Sequence, residues 1–254
     1  MTEPRVLFYD IETKPLLAYV WKLGEQVIRH DQLKEGSDRY DIISIGYCWN
    51  DGKPAKVLDW GLKEQNSEPM IKFFDRQLMQ ADIAVAYNGD RFDIKHINTQ
   101  RMLHGLIPLG KIATDDPLKQ IRRHFAFPSN TLDYLSKVLG MGGKHKMVFQ
   151  DWIDIVDKKD PAALAKMIAY NKKDVEDLRD LYNKVMPHCS PKLNRAAFIK
   201  DLACTHCGSH NLVKNGTRLL GLTHYQVYFC KDHGGFAGRV AMKKDGTEGS
   251  GVIK

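Results

Sequence analysis

The sequence predicts an α/β domain followed by a small metal-stapled module. Three observations carry that expectation. Short apolar, β-favouring runs alternate with helix-period stripes through the first three quarters of the chain. A long helical stretch closes that region and ends in two prolines. Two Cys/His knuckles then crowd the last quarter.

Composition sets the bounds. With 254 residues the chain can bury a core, and 43% hydrophobic with 27% charged residues is ordinary for a globular protein. No apolar run approaches the ~20 residues that span a bilayer, so no membrane role is expected. Met1 to Arg5 lacks a signal-peptide pattern, which makes a cytoplasmic setting the expectation. The formal charge of +7 is uneven: residues 195–254 hold 9 Lys+Arg against 4 Asp+Glu, the first 194 residues 29 against 27. A basic final quarter suits an anionic polymer, although such an excess also arises on a merely solvated face. Five cysteines, three of them in that quarter, suit metal binding better than a disulfide framework.

Val6 to Thr13 reads as a buried strand that ends in acids. Lys14 to Tyr40, charged and without clean periodicity, reads as an insertion with some helix. Ile42 to Trp49 is a second strand, Asn50 to Lys53 a turn, and Ala55 to Trp60 a third strand pairing back as a hairpin. Met70, Ile71, Phe73, Phe74, Leu78 and Met79 form a helical stripe within Glu68 to Gln80. Ile83 to Tyr87 is a fourth strand, followed by an Asn88-Gly89-Asp90 turn and a helix from Arg91 to His104. A fifth strand is expected near Lys111 to Thr114. Helices are expected over Pro117–Phe125, Thr131–Leu139 and Pro161–Met186, with Gly140 to Lys144 a flexible connection. Pro187 and Pro191 mark a boundary, giving domains at 1–190 and 195–242 and a loose tail at 243–254.

Residues two apart on a strand share a face, so Asp10 and Glu12 project side by side. Paired carboxylates repel and are costly to bury unless a cation sits between them, and hard divalent ions prefer oxygen ligands. The plainer alternative is a strand end where both acids meet solvent. Asp93 falls on the first turn of the helix after strand four, where the macrodipole also favours an acid. In the long helix, Tyr170 and Asp174 share a face at i and i+4; Asp177 is as eligible as Asp174 on spacing alone.

Acid-x-acid at Asp10 and Glu12, Asn88-Gly89-x-x-Phe92-Asp93, and Tyr170-x-x-x-Asp174 occur in that order. Together they resemble the three motifs of the DEDD superfamily of 3′–5′ exonucleases, which have a ribonuclease H-like fold. The match is to the tyrosine subgroup and to the proofreading domains of family B DNA polymerases. Ala169 stands where the histidine subgroup has its His, and Ser129 to Gly140 resembles the stretch between the second and third motifs. The likeness spans roughly residues 5–186. It implies a ribonuclease H-like mixed sheet flanked by helices, and catalysis with two Mg²⁺ or Mn²⁺ ions. Asp10 would bridge both ions, Glu12 and Asp174 would complete the first, and Asp93 would hold the second. Tyr170 would orient the attacking water, because a phenol with a pKa of about 10 is a poor general base at neutral pH. Phe92 and the Ile11 backbone are candidates for gripping the terminal nucleotide.

Cys204-x-x-Cys207 and Cys230-x-x-His233, 22 residues apart, suit one tetrahedral structural Zn²⁺. Leu212 to Gly216 and Thr223 to Phe229 read as a hairpin between the knuckles, with Asn215-Gly216 as the turn. This is a zinc ribbon, and its run resembles ribbons of insertion-element transposases except that His233 stands where a fourth Cys is usual. His206, His210 and His224 remain competing ligands. Lys200, Lys214, Arg218, Lys231 and Arg239, interleaved with Tyr225, Tyr228 and Phe236, suit a phosphate backbone.

The expected function is 3′–5′ exonucleolysis at DNA 3′ ends, with the ribbon aiding nucleic-acid or partner binding. A polymerase or a replication or repair protein is an expected partner. The alternatives are the same chemistry on RNA and a non-catalytic nucleic-acid-binding adaptor on the same fold; no motif decides the sugar.

Overall fold

The computed structural model describes residues 4–141, 146–189 and 194–249. Two compact units emerge, one of Val6–Asp116 with Thr131–Asp180, the other of Pro117–Asn130 with Leu181 onward and the first five residues.

The first unit is built on a five-stranded mixed sheet. Its strands are β1 (Val6–Thr13), β2 (Ile42–Trp49), β3 (Lys56–Asp59), β4 (Ile83–Val85) and β5 (Thr114–Asp115), in the order β3-β2-β1-β4-β5. β1 pairs antiparallel with β2 and parallel with β4, so the acid-bearing strand lies at the centre. Leu7, Tyr9 and Ile11 alternate into one core with Ile43, Ile45, Phe74 and Ile97. Phe8, Asp10 and Glu12 therefore face the opposite side. α1 (Glu68–Leu78) begins with a proline in its first turn and buries Met70, Ile71, Phe74 and Leu78; Met79 lies beyond the helix and is exposed. α2 (Asp93–Leu103) starts two residues later than the sequence suggests, and β5 falls at the C-terminal edge of the expected strand. α4 is Leu132–Val138, α5 is Phe149–Asp157 and α6 is Pro161–Val185; residues 142–145, which include part of the connection expected at Gly140 to Lys144, lie outside the described residues.

α5 was not apparent from periodicity. Its start is fixed locally, the Asp151 carboxylate accepting the Val148 N–H at 2.8 Å. Trp152 and Val156 pack on the core around buried Ile155. The insertion after β1 is not helical beyond one 3₁₀ turn at His30–Gln32. It doubles back as a loop closed by an Ala18–Leu33 bridge, and its base is tied by Lys14 to Asp41 at 3.2 Å. Tyr19, Trp21, Leu23 and Val27 stand exposed on it.

The second unit contains α3 (Pro117–His124) and a three-stranded antiparallel sheet of β6 (Leu212–Leu220), β7 (Thr223–Cys230) and β8 (Gly235–Ala241). β6 runs straight through Asn215-Gly216. The predicted turn is instead an irregularity in the β6–β7 register between Lys214 and Thr217, and the hairpin reverses at Gly221-Leu222. A positive φ of 74° at Gly216 is thus spent on a bulge rather than a turn. The segment expected to be loose after Lys243 folds back through a Met242–Glu248 bridge; Tyr228 donates its hydroxyl to Glu248, which also pairs with Lys214 at 2.5 Å. Residues 190–193 and 250–254, which hold the second boundary proline and the chain end, lie outside the described residues. Among the described residues no helix is long and apolar enough to cross a membrane.

Candidate functional site

Asp10, Glu12 and Asp174 come together, one carboxylate oxygen from each lying within 4.8 Å of the others. β1 supplies the first two on one face, and α6 brings the third. A Cβ at Gly46, the β2 residue paired with Asp10, would sit 2.8 Å from both Asn171 Oδ1 and Val175 Cγ2. Only glycine lets the helix approach the sheet that closely.

Asn171 fixes the geometry. Fully buried, it donates from Nδ2 to Asp10 Oδ2 at 2.8 Å and accepts from the Ser44 hydroxyl at 3.4 Å. Its place on α6 between Tyr170 and Asp174 was legible, but its role was not, because an Asn in a helix signals nothing until its partner on another strand is known. Asp177, equally eligible by spacing, is ion-paired to Lys173 one turn earlier and stands outside the cluster.

Asp93 opens α2 and is 2% exposed. Its Oδ1 accepts the Ile11 N–H at 3.2 Å, tying the second acidic motif to β1 between Asp10 and Glu12. The turn before it depends on Asn88 at a positive φ of 62°, whose N–H is held by Asp116 Oδ1 at 2.9 Å. Gly89 follows, where a Cβ would strike that of Ala86 at 2.4 Å. Burial pushes the Asp93 carboxyl up to about 7; hydrogen bonds from its own backbone and from Ile11 oppose the rise, and the Asp116 charge adds to it. Burial also raises the Tyr9 phenol well above its ordinary range, with Asp93 and neighbouring acids contributing.

Tyr170 is half-buried one turn before Asp174 and meets Trp152 edge-on at 6.5 Å. Phe92, 40% exposed, packs on His96 with ring centroids 4.4 Å apart. The Ile11 amide, a candidate nucleotide contact, is committed to Asp93.

The second unit holds the other cluster. Cys204, Cys207, Cys230 and His233 each place one ligand atom within 4.8 Å of the others. His233 Nδ1 lies 3.5 Å from Cys204 Sγ and 3.6 Å from Cys207 Sγ, and the Cys207–Cys230 sulfur separation is 3.7 Å. A tetrahedron with metal–sulfur bonds of about 2.3 Å has edges of about 3.8 Å, so the cage fits the donor set. The hydrogen bond between Cys204 and Cys207 holds the Cys207 thiol down and pushes the Cys204 thiol up, so the metal-free pair shares a proton that a metal would displace. His206 stacks on His233 with centroids 5.0 Å apart without joining the cluster, and His210 Nδ1 meets Leu202 O at 3.0 Å. His224 also lies outside it.

Comparison with known proteins fits this arrangement. A family model described as the RNase_H superfamily matches residues 28–186. The chain belongs to the RNase_H superfamily. The matched stretch contains Asp93, Tyr170 and Asp174 and begins after Asp10 and Glu12. Among solved structures the chain is similar to the family B DNA polymerase from the hyperthermophilic archaeon Pyrobaculum calidifontis, with a TM-score of 0.54 and 18% identity. That similarity covers 73% of this chain and 25% of the polymerase, so the chain spans about a quarter of that protein's length. Comparison with curated proteins gives no match. As an RNase_H superfamily member, the chain has a mixed five-stranded sheet flanked by helices, with an acidic triad at its central strand.

Proposed function

We propose that this superfamily member is a divalent-metal-dependent 3′–5′ exonuclease acting on DNA 3′ ends. The observation that carries the reading is the convergence of Asp10, Glu12 and Asp174 within 4.8 Å. Asp93 is not part of that cluster but is tied to β1 between Asp10 and Glu12 by the Ile11 amide. Three carboxylates so close repel one another, which favours a site that takes a divalent cation. The family B polymerase likeness supports the fold on which this chemistry rests.

Asp10, Glu12 and Asp174 would hold one Mg²⁺ or Mn²⁺, with Asp10 shared and Asp93 directed to a second. Such a pair, when bound, supplies the charge that stabilises the attacking and leaving oxygens at a phosphodiester. The chain's own residues do the rest. Asn171 donates to Asp10 Oδ2 and so orients that carboxylate. The Ile11 amide ties Asp93 to β1 and so fixes where the second motif's acid stands at the start of α2. Tyr170 supplies a hydroxyl that hydrogen-bonds the attacking water, and Phe92 offers an exposed ring to the terminal base. Cys204, Cys207, Cys230 and His233 would hold a structural Zn²⁺ that stabilises a ribbon used for nucleic-acid or partner engagement. A replication or repair setting, with a polymerase partner, suits the family B likeness.

A 3′-blocked, 5′-labelled oligonucleotide series with Mn²⁺ tests this, run on matched DNA and RNA in single- and double-stranded form. A ladder shortening from the free 3′ end of DNA, absent from the blocked substrate and lost in Asp10→Ala, is expected. Internal cuts would refute the exonuclease assignment, and exclusive cleavage of RNA would refute the substrate. No cleavage by the metal-loaded wild type would refute catalysis and leave a binding role.

A further inference from the structure

The open face of the β6–β7–β8 sheet carries a feature that the acid site does not use. Cross-strand partners share a face. Tyr225 pairs with Arg218 on β6, and Val227 with Arg239 on β8. The opposite face takes Tyr228, Cys230 and Val240 into the small core with Cys204. Two arginines are thus presented on the side turned away from the thiol cluster. Arg218, Leu220, Val227, Phe236 and Arg239 line a cleft of about 200 Å³ there.

Arg239 lays its guanidinium over the Tyr225 ring, 4.9 Å from the centroid. This stacking fixes the plane of the guanidinium. Its Nε is buried and meets no acceptor among the described residues. Neither Arg218 nor Arg239 pairs with a carboxylate among the described residues, whereas Lys214 is paired with Glu248. Beside them Phe236 is 48% exposed. Two forked cations, one of them preset by stacking, together with an exposed aromatic ring over an apolar floor form a receptor for a planar base carrying a phosphate.

We infer that this cleft is a single-strand nucleic-acid subsite in which Arg218 and Arg239 hold a backbone phosphate and Phe236 stacks on an adjoining base. The inference rests on the nuclease reading for its biological sense, not for its measurement. Charge complementarity favours an anion, and the exposed ring favours a nucleotide over an acidic peptide.

The test uses the full-length, zinc-loaded chain with Ca²⁺ replacing Mg²⁺ or Mn²⁺, so that binding is read without turnover. Fluorescence anisotropy follows a labelled oligo-dT 20-mer across a salt series. Arg218→Gln and Arg239→Gln should each weaken binding about tenfold and make the salt slope shallower by about 0.7, one phosphate's share for a single strand. Phe236→Ala should weaken binding on the order of tenfold while leaving the slope unchanged, because stacking releases no counterions. Zinc content reports folding; should Arg239→Gln lose zinc, Arg218→Gln, an exposed position, decides. Wild-type affinity and slope in Arg218→Gln would overturn the inference, as would arginine-dependent binding of polyglutamate in place of the oligonucleotide. Failure of cleavage in the Mn²⁺ assay would refute the exonuclease reading and leave this binding result standing, so the two are separable.

Discussion

Asp93→Asn should make the metal-free acid site more stable, by an amount that depends on pH. The carboxyl titrates near 3.8 in an unfolded chain and at about 7 in the fold. Below pH 3.8 both states are protonated and the group contributes nothing. Between 3.8 and 7 the folded chain keeps a proton that the unfolded chain has lost, so stability falls as pH rises, by about 1.4 kcal/mol per pH unit. Above 7 the full cost of the buried charge, on the order of 4 kcal/mol, persists. The asparagine Oδ1 can still accept the Ile11 N–H that Asp93 takes at 3.2 Å, so the substitution removes charge and keeps the tie. Urea unfolding of wild type and variant, without Mg²⁺ or Mn²⁺ and with zinc retained, should give similar stabilities at pH 3.5. A gap should open in favour of the variant up to pH 7.5. Added Mn²⁺ should then narrow the gap by stabilising the wild type more than the variant, which keeps the Asp10, Glu12 and Asp174 cluster but lacks the fourth carboxylate. A gap that stays flat across this range, or a variant less stable at pH 7.5, would refute the burial argument.

Asp10→Ala should abolish oligonucleotide cleavage while leaving the far-ultraviolet circular dichroism unchanged, since it removes the carboxylate at the centre of the cluster; near-wild-type turnover would overturn the metal assignment. Tyr170→Phe keeps the ring against Trp152 and should slow single-turnover cleavage by on the order of tenfold with metal affinity intact; an unchanged rate would make Tyr170 a packing residue. Gly46→Ala should cost about 1–3 kcal/mol, because its Cβ meets Asn171 and Val175 at 2.8 Å, and should slow cleavage by displacing α6 from β1; a wild-type melting temperature and rate would show that the helix yields freely.

What the sequence made legible and what it hid follow from how local each signal is. β1, β2 and the α1 stripe are written in side-chain periodicity, and all three sit where that periodicity puts them except for Met79 at the end of the stripe. The acids were legible because a strand and a helix each impose a spacing, and Asp10 with Glu12 obeys one while Tyr170 with Asp174 obeys the other. Helical spacing did not choose Asp174 over Asp177; the Tyr170-x-x-x-Asp174 motif did, and the fold brings Asp174 to the cluster while Asp177 pairs with Lys173. Asn171 stayed hidden because its partners are 127 and 161 residues away in sequence. The Asn215-Gly216 pair misled because the dipeptide reports a backbone preference for positive φ, which a bulge within β6 satisfies as well as a hairpin turn. α5 escaped because the glycine-rich run ahead of it reads as loop, and its first turn is set by the Asp151 tie to Val148 rather than by a Ser, Thr or Asn cap.

The two ligand clusters differ in what stands behind them, and this predicts opposite responses to metal loss. In the acid site, positions are set by a central strand, by Asn171 and by the Ile11 amide, all anchored in a core that includes Ile43, Ile45 and Phe74. Its geometry needs no metal to persist. In the second unit the core around the thiols consists of Cys204, Tyr228, Cys230, Ala237 and Val240, and two of those five belong to the proposed zinc site. Without a metal such a core is too small to offset the chain entropy of three strands. Cys204→Ser should therefore lose zinc and release amide protection across β6, β7 and β8, whereas removing Mg²⁺ or Mn²⁺ from the wild type should leave protection in β1 and β2 unaltered. Hydrogen exchange read by mass spectrometry resolves the two segments in one experiment. Sustained protection of β7 in a zinc-free Cys204→Ser chain would mean that the sheet folds on its apolar contacts alone, and that the metal serves something other than stability.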